Sequence, residues 1–170
     1  MTDAVTDREL DLLATKVGKA LAAAGQMLVS AESCTGGGIM KIMTDIPGSS
    51  GWCEGGFITY TNRAKQRFLG VPEATLESCG AVSRETVEAM AQGALERSDA
   101  TISVAVSGIA GPDGGSDQKP VGTVWLAWAQ RGQGVRSECC LFTGDRETVR
   151  RQTINRALTE ILSRYPLAEA

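Results

Sequence analysis

A chain of 170 residues, 42% of them hydrophobic, holds one substantial core but not two, so a single domain over residues 1–170 is expected. A net charge of -3 and a pI near 5.1 provide no field to draw a polyanion, which argues against a nucleic-acid partner. No apolar run reaches the roughly 18 residues of a membrane span, and the opening residues, with Asp3, Asp7, Arg8, Glu9 and Asp11, lack the order of a signal peptide; a cytoplasmic protein with no membrane partner is expected.

In chain order, Leu10, Leu13, Val17 and Leu21 lie at helical spacing up to Gly25, which predicts an amphipathic helix over 7–24. Met27 to Ala31 reads as a short strand. It runs into the small-residue turn Ser33-Cys34-Thr35-Gly36-Gly37-Gly38 and then a second helix carrying Ile39, Met40, Ile42 and Met43. Such a turn can present unpaired backbone N–H groups to a ligand. Pro47-Gly48-Ser49-Ser50-Gly51 is a loop by composition, and Phe57 to Tyr60 a second strand.

Asn62 is the expected N-cap of a helix that carries Lys65, Phe68 and Leu69 and stops at Gly70. Pro72 opens a short helical turn, and Ser83 caps a longer helix running to about Arg97. Ile102, Val104 and Val106 alternate in a third strand that ends at Ser107-Gly108. The loop from Gly108 to Gly122 is long enough to suggest function. Strands at 123–129 and 135–142 should pair as a hairpin, and Thr143-Gly144-Asp145 starts a terminal helix. The alternation predicts a three-layer α/β/α sandwich with a mixed sheet of about five strands, its ligand site at the carboxyl ends of the parallel strands.

The chain contains no histidine, so Ser-His-Asp and Cys-His schemes are excluded, and a base must be a carboxylate, a tyrosine or one of the lysines. There is no GxxxxGK[ST] or GxGxxG pattern. Cys34, Cys53, Cys79, Cys139 and Cys140 are odd in number and form no CxxC pair, fitting neither a disulfide framework nor a zinc site.

Among the lysines, Lys65 stands in the predicted first turn of a helix, where the macrodipole disfavours a second positive charge. Burial and Arg63 or Arg67 would have to add to that effect, and a solvated helix lysine is the ordinary alternative. Ser33, Ser49, Ser50 and Ser107 all fall in turns, where serine commonly satisfies backbone groups. Cys34 is a rival nucleophile without an obvious base. Tyr60, five residues before Lys65, could bring a phenol to the amine or simply pack at a strand end.

The blocks AESCTGG at 31–37, DIPGSSGW at 45–52, FITYTNRAK at 57–65, GAVS at 80–83, SGIAGPDGGSDQKPVGTVW at 107–125 and FTGDRETVR at 142–150 together resemble the C-terminal domain family of the competence/damage-inducible protein CinA. The similarity runs from about residue 8 to 163 and fits the family's stand-alone amidohydrolase form. The resemblance implies hydrolysis of nicotinamide mononucleotide to nicotinate mononucleotide and ammonia, a step of pyridine-nucleotide salvage, by a serine-lysine mechanism without metal or cofactor. Carried onto matching positions, it implies Ser50 as nucleophile and Lys65 as base, assisted by Tyr60 and Ser33. Backbone N–H groups at the start of the helix after Ser33 would hold the oxyanion. The substrate pocket would draw on Thr35, Gly36, Gly37, Ser107, Gly108, Gly111, Gly114 and Gly115, with Arg146 for the phosphate. A homo-oligomer, with a dimer preferred, is also implied. The alternative from another class is a non-catalytic nucleotide-binding or regulatory module using the same pocket.

Overall fold

The computed structural model describes residues 5–167. Helix α1 spans Asp7–Ala23. It starts where Thr6 and Glu9 cap each other: the Glu9 N–H donates to Thr6 Oγ1 at 3.2 Å and the Thr6 N–H to the Glu9 carboxylate at 2.7 Å. Strand β1, Leu28–Glu32, is buried along its whole length, as expected of a strand covered on both faces. Then follow α2 (Gly38–Thr44), a single 3-10 turn at Ser49–Gly51 and β2 (Cys53–Ile58).

Strand β2 begins four residues before the expected strand. Glu54-Gly55-Gly56 has the composition of a turn, yet pairing with β1 holds it extended, with a register shift between Leu28 and Val29. Gly56 is needed there, since a Cβ would come within 2.6 Å of Ser30 Oγ.

The remaining elements are α3 (Asn62–Leu69), α4 (Glu73–Cys79), α5 (Arg84–Glu96), β3 (Ile102–Gly108), β4 (Thr123–Gln130), β5 (Val135–Leu141) and α6 (Arg146–Arg164). Thr61, rather than Asn62, caps α3, accepting from the Ala64 N–H at 3.1 Å. The five strands lie in the order β2-β1-β3-β4-β5. The pairs β1/β2 and β1/β3 are parallel, while β3/β4 and β4/β5 are antiparallel.

Each face of this mixed sheet has its own core. On one, Leu10, Val17 and Leu21 of α1, Ile39 and Met43 of α2, and Val149, Leu158 and Ile161 of α6 pack on Leu28, Val104 and Trp128. On the other, Leu69 of α3, Leu76 of α4, and Val87, Met90 and Ala94 of α5 pack on Val29, Ala31 and Ala105. The result is the expected α/β/α sandwich. Parallel β1, β2 and β3 end on one side of it, so the segments after Glu32, Ile58 and Gly108 meet there. Among the described residues no helix is long and apolar enough to cross a membrane.

Candidate functional site

At the carboxyl ends of the three parallel strands lies a cavity of about 260 Å³ lined by Ser33, Cys34, Tyr60, Lys65, Ala81, Val82, Ser107, Gly108, Ala110 and Arg146. Of the larger depressions elsewhere on the surface, one is lined by Cys79, Ser83 and Lys119, but there the Lys119 amine donates to Cys79 O at 3.1 Å and the Ser83 hydroxyl to Gly80 O at 2.9 Å. Ser33 is the first residue after β1; its N–H donates to Val106 O of β3 at 3.1 Å, which fixes the start of the turn.

Lys65 arrives from α3 with its side chain inside the protein, only 1% exposed. Its Nζ lies 3.0 Å from Ser33 Oγ, donates to the carbonyl oxygen of Thr59 at 2.9 Å and reaches that of Tyr60 at 3.4 Å. Burial lowers the Lys65 pKa from 10.5 to about 8, and among the described residues no carboxylate is ion-paired with it to hold the proton. The expected contribution of Arg63 and Arg67 does not arise, because both point into solvent. A neutral amine has two N–H groups and one lone pair. With the two carbonyls taking the N–H groups, the lone pair faces the Ser33 hydroxyl.

Ser50, the expected nucleophile, is not brought to the amine within this chain. Ser50 lies in the 3-10 turn before β2, exposed at the amino end of that strand. Lys65 follows the carboxyl end, and six residues of extended β2 put roughly 20 Å between them. Ser33, expected to assist, occupies the place next to the amine.

Tyr60 also differs from expectation. Its backbone carbonyl, not its phenol, faces Lys65, while the phenolic oxygen accepts from Arg146 Nη2 at 3.0 Å. Arg146 Nη1 donates to Gly111 O at 2.8 Å, so the guanidinium stands at the mouth of the cavity with two of its donors engaged. Ser107 and Gly108 are where the sequence places them, on the cavity wall. The Ser107 hydroxyl donates to Ala81 O at 2.7 Å, and a Cβ at Gly108 would meet Val124 Cγ2 at 2.5 Å.

The rest of the expected pocket lies outside the cavity. Gly111 contributes only the carbonyl that receives Arg146. Gly114 and Gly115 border a separate open depression beside Asp113 and Asp117, whose charges oppose a phosphate. Thr35 is buried, its hydroxyl donating to Glu32 Oε2 at 2.6 Å. Gly36 is exposed near Arg150, and the Gly37 N–H is taken by Glu32 at 3.0 Å.

The Ile39 and Met40 N–H groups at the start of α2 likewise donate to Glu32, at 3.1 and 3.0 Å, and so cannot bind an oxyanion. In the turn from Ser33 to Met40, the N–H groups of Cys34 and Thr35 are the two with no oxygen acceptor among the described residues. Sequence reasoning missed Glu32 and the apolar wall of Ala81, Val82 and Ala110. Cys34 lines the cavity, but burial pushes its thiol up to about 12, so it stays protonated beside the amine. Among the described residues no group of three or more Cys, Asp or Glu side chains could hold a metal ion.

A family model, the CinA C-terminal domain, matches residues 10–165. The chain is 53% identical over 163 residues to the nicotinamide-nucleotide amidohydrolase PncC of Escherichia coli (strain K12), covering 95% of this chain and 98% of that protein. It is 56% identical over 150 residues to the protein of the same name from Pseudomonas putida, covering 88% and 93%. Among solved structures, the competence/damage inducible protein CihA from Agrobacterium tumefaciens superposes with a TM-score of 0.89 at 43% identity, covering 96% of this chain and 98% of that one. The competence damage-inducible protein A (ComA) from Klebsiella pneumoniae subsp. pneumoniae MGH 78578 gives 0.87 at 38% identity, covering 91% and 95%. A family match of this extent, with relatives this similar along almost their whole length, means that the chain belongs to the CinA C-terminal domain family.

Proposed function

We propose that the protein hydrolyses the carboxamide of nicotinamide mononucleotide to nicotinate mononucleotide and ammonia, with Ser33 as nucleophile and Lys65 as base. The observation that carries this reading is a buried amine, its pKa drawn down to about 8, set 3.0 Å from a serine hydroxyl in a cavity. The relatives named nicotinamide-nucleotide amidohydrolase support an amidohydrolase and supply the substrate class.

Neutral Lys65 takes the Ser33 proton as Oγ attacks the carboxamide carbon. The carbonyl oxygen gains the negative charge and is held by the N–H group of Cys34, which lines the cavity and has no oxygen acceptor among the described residues. The C–N bond then breaks, Lys65 returns its proton to the departing nitrogen, and ammonia leaves a nicotinoyl ester on Ser33. Water repeats the sequence: Lys65 accepts its proton, hydroxide oxygen adds to the ester carbon, and Ser33 leaves with the proton. Ala81, Val82 and Ala110 offer an apolar wall to the pyridine ring, and Tyr60 an aromatic face. Arg146 uses two of a guanidinium's five donors on Tyr60 and Gly111 and directs its charge at the phosphate.

The rest of the reading is that residues 1–170 act as one cytoplasmic domain, assembled as a homo-oligomer with a dimer preferred, and that the partner is a nucleotide rather than nucleic acid; the net charge of -3 supports the last point. The test is ammonia release from nicotinamide mononucleotide by wild type, Ser33→Ala and Ser50→Ala. Turnover by wild type and Ser50→Ala, with Ser33→Ala at background, supports the assignment. Nucleotide binding by all three without ammonia release would make the domain a non-catalytic module instead.

A further inference from the structure

We infer that Glu32, which does not line the cavity, is a positioning residue for the hydrolysis: its carboxylate clamps the turn carrying the nucleophile. The inference rests on the Ser33–Lys65 reading above and names what holds that site in shape. Glu32 is the last residue of β1, immediately before Ser33, and is fully buried. No lysine or arginine forms a salt bridge with it among the described residues. A buried carboxylate without a cation is expensive and persists only if its lone pairs are filled.

Here they are filled by five donors. Oε1 accepts from the Ser30 hydroxyl at 2.9 Å and the Met40 N–H at 3.0 Å. Oε2 accepts from the Thr35 hydroxyl at 2.6 Å, the Gly37 N–H at 3.0 Å and the Ile39 N–H at 3.1 Å. Three of these donors are backbone N–H groups at the start of α2, where the partial positive charge of a helix end favours a carboxylate oxygen.

The arrangement has a geometric consequence. Residues 33 and 34 are spanned by a side chain anchored at 32 and bonded at 35, 37, 39 and 40, so the turn has one shape. By occupying the N–H groups of Gly37, Ile39 and Met40, the carboxylate leaves those of Cys34 and Thr35 as the two in the turn with no oxygen acceptor among the described residues, and of these residues Cys34 lines the cavity. A neutral amide cannot reproduce this. Wherever glutamine puts its NH₂, at least one backbone N–H meets another donor, that of Met40 at one oxygen position or those of Gly37 and Ile39 at the other.

The experiment measures kcat and KM on nicotinamide mononucleotide for wild type, Ser33→Ala, Glu32→Gln, Thr35→Val and Thr35→Ser, with circular dichroism to establish folding. Glu32→Gln is expected to lower kcat about a hundredfold with KM within about threefold, the pattern of a group that aligns the nucleophile and transition-state donors without holding the ground state. Thr35→Val removes one of the five donors and is expected to lower kcat about tenfold; Thr35→Ser should restore most of that loss.

A folded Glu32→Gln enzyme with kcat within threefold of wild type, or one impaired through KM alone, overturns the inference. Should Glu32→Gln fail to fold, a Thr35→Val enzyme with wild-type kcat overturns it equally. A wild type that releases no ammonia refutes the Ser33–Lys65 reading itself. An active wild type with an inactive Ser33→Ala and undisturbed Glu32 and Thr35 variants refutes only the clamp.

Discussion

Replacing Lys65 with methionine keeps the length and most of the volume of the side chain and removes its titration. The unfolded chain holds the Lys65 proton up to about pH 10.5, the folded chain only up to about 8. Between those values the unfolded state binds more protons, so stability rises with pH. Linkage puts the cost of the lysine at about 3 kcal/mol at pH 7 and about 1 kcal/mol at pH 10. The amine's bonds to Thr59 O and Tyr60 O are lost in the variant, which blurs any single comparison; the change with pH does not depend on them.

Urea unfolding of wild type and Lys65→Met, followed by far-ultraviolet circular dichroism at pH 7 and pH 10, isolates that change. Other titrating groups are common to both proteins, and Cys34, held near 12 by burial, stays a thiol in the folded state of each. The stability of wild type relative to the variant should rise by about 2 to 3 kcal/mol from pH 7 to pH 10. A difference that stays flat would mean that the amine titrates as in the unfolded chain and cannot serve as a free base near neutrality.

Since the reaction needs neutral Lys65, kcat/KM should climb about tenfold per pH unit below about 8 and level off above it; a profile already level at pH 6 would contradict this. Arg146→Ala should raise KM for the mononucleotide roughly 10- to 100-fold, the worth of a charge-assisted bond, while leaving kcat for nicotinamide riboside, which has no phosphate, less affected; steady-state kinetics on both substrates check it. Cys34→Ala should lose less than tenfold in kcat, because a thiol this hard to ionise supplies no nucleophile; near-complete loss would reinstate the cysteine.

Most of the architecture is legible from hydrophobic periodicity and caps, as in α1 and α5, whose bounds fall within a residue or two of the reading. Strand β2 is the exception, because Gly55 and Gly56 are extended by pairing with β1 and by the need to pass Ser30, neither of which is local. Lys65 was reachable because histidine is absent and it stands in the predicted first turn of a helix that follows a strand. Its pKa, however, is lowered by burial, which periodicity suggests only weakly for a lysine.

The nucleophile shows what the fold adds. Motif similarity alone favoured Ser50, yet the rule that ligands gather at the carboxyl ends of parallel strands already disfavoured a serine standing before β2 and favoured one standing after β1. Glu32 carried a readable signal as well: an acid between a buried strand and a turn that opens a helix has helix-end N–H groups within reach. The glycine-rich loop is divided by the fold: Gly108 lines the cavity, whereas Gly114 and Gly115 share a separate surface with Asp113 and Asp117.

The pairing of Ser33 with Lys65 is tested most directly by trapping the covalent intermediate. Wild-type enzyme turning over nicotinamide mononucleotide would be quenched in acid, digested, and the acylated residue located by fragmentation mass spectrometry. The nicotinate mononucleotide acyl group should sit on the oxygen of Ser33. Its appearance on Ser50 or Cys34, or turnover without any acylated serine at a quench time when a burst of ammonia has formed, would contradict the account.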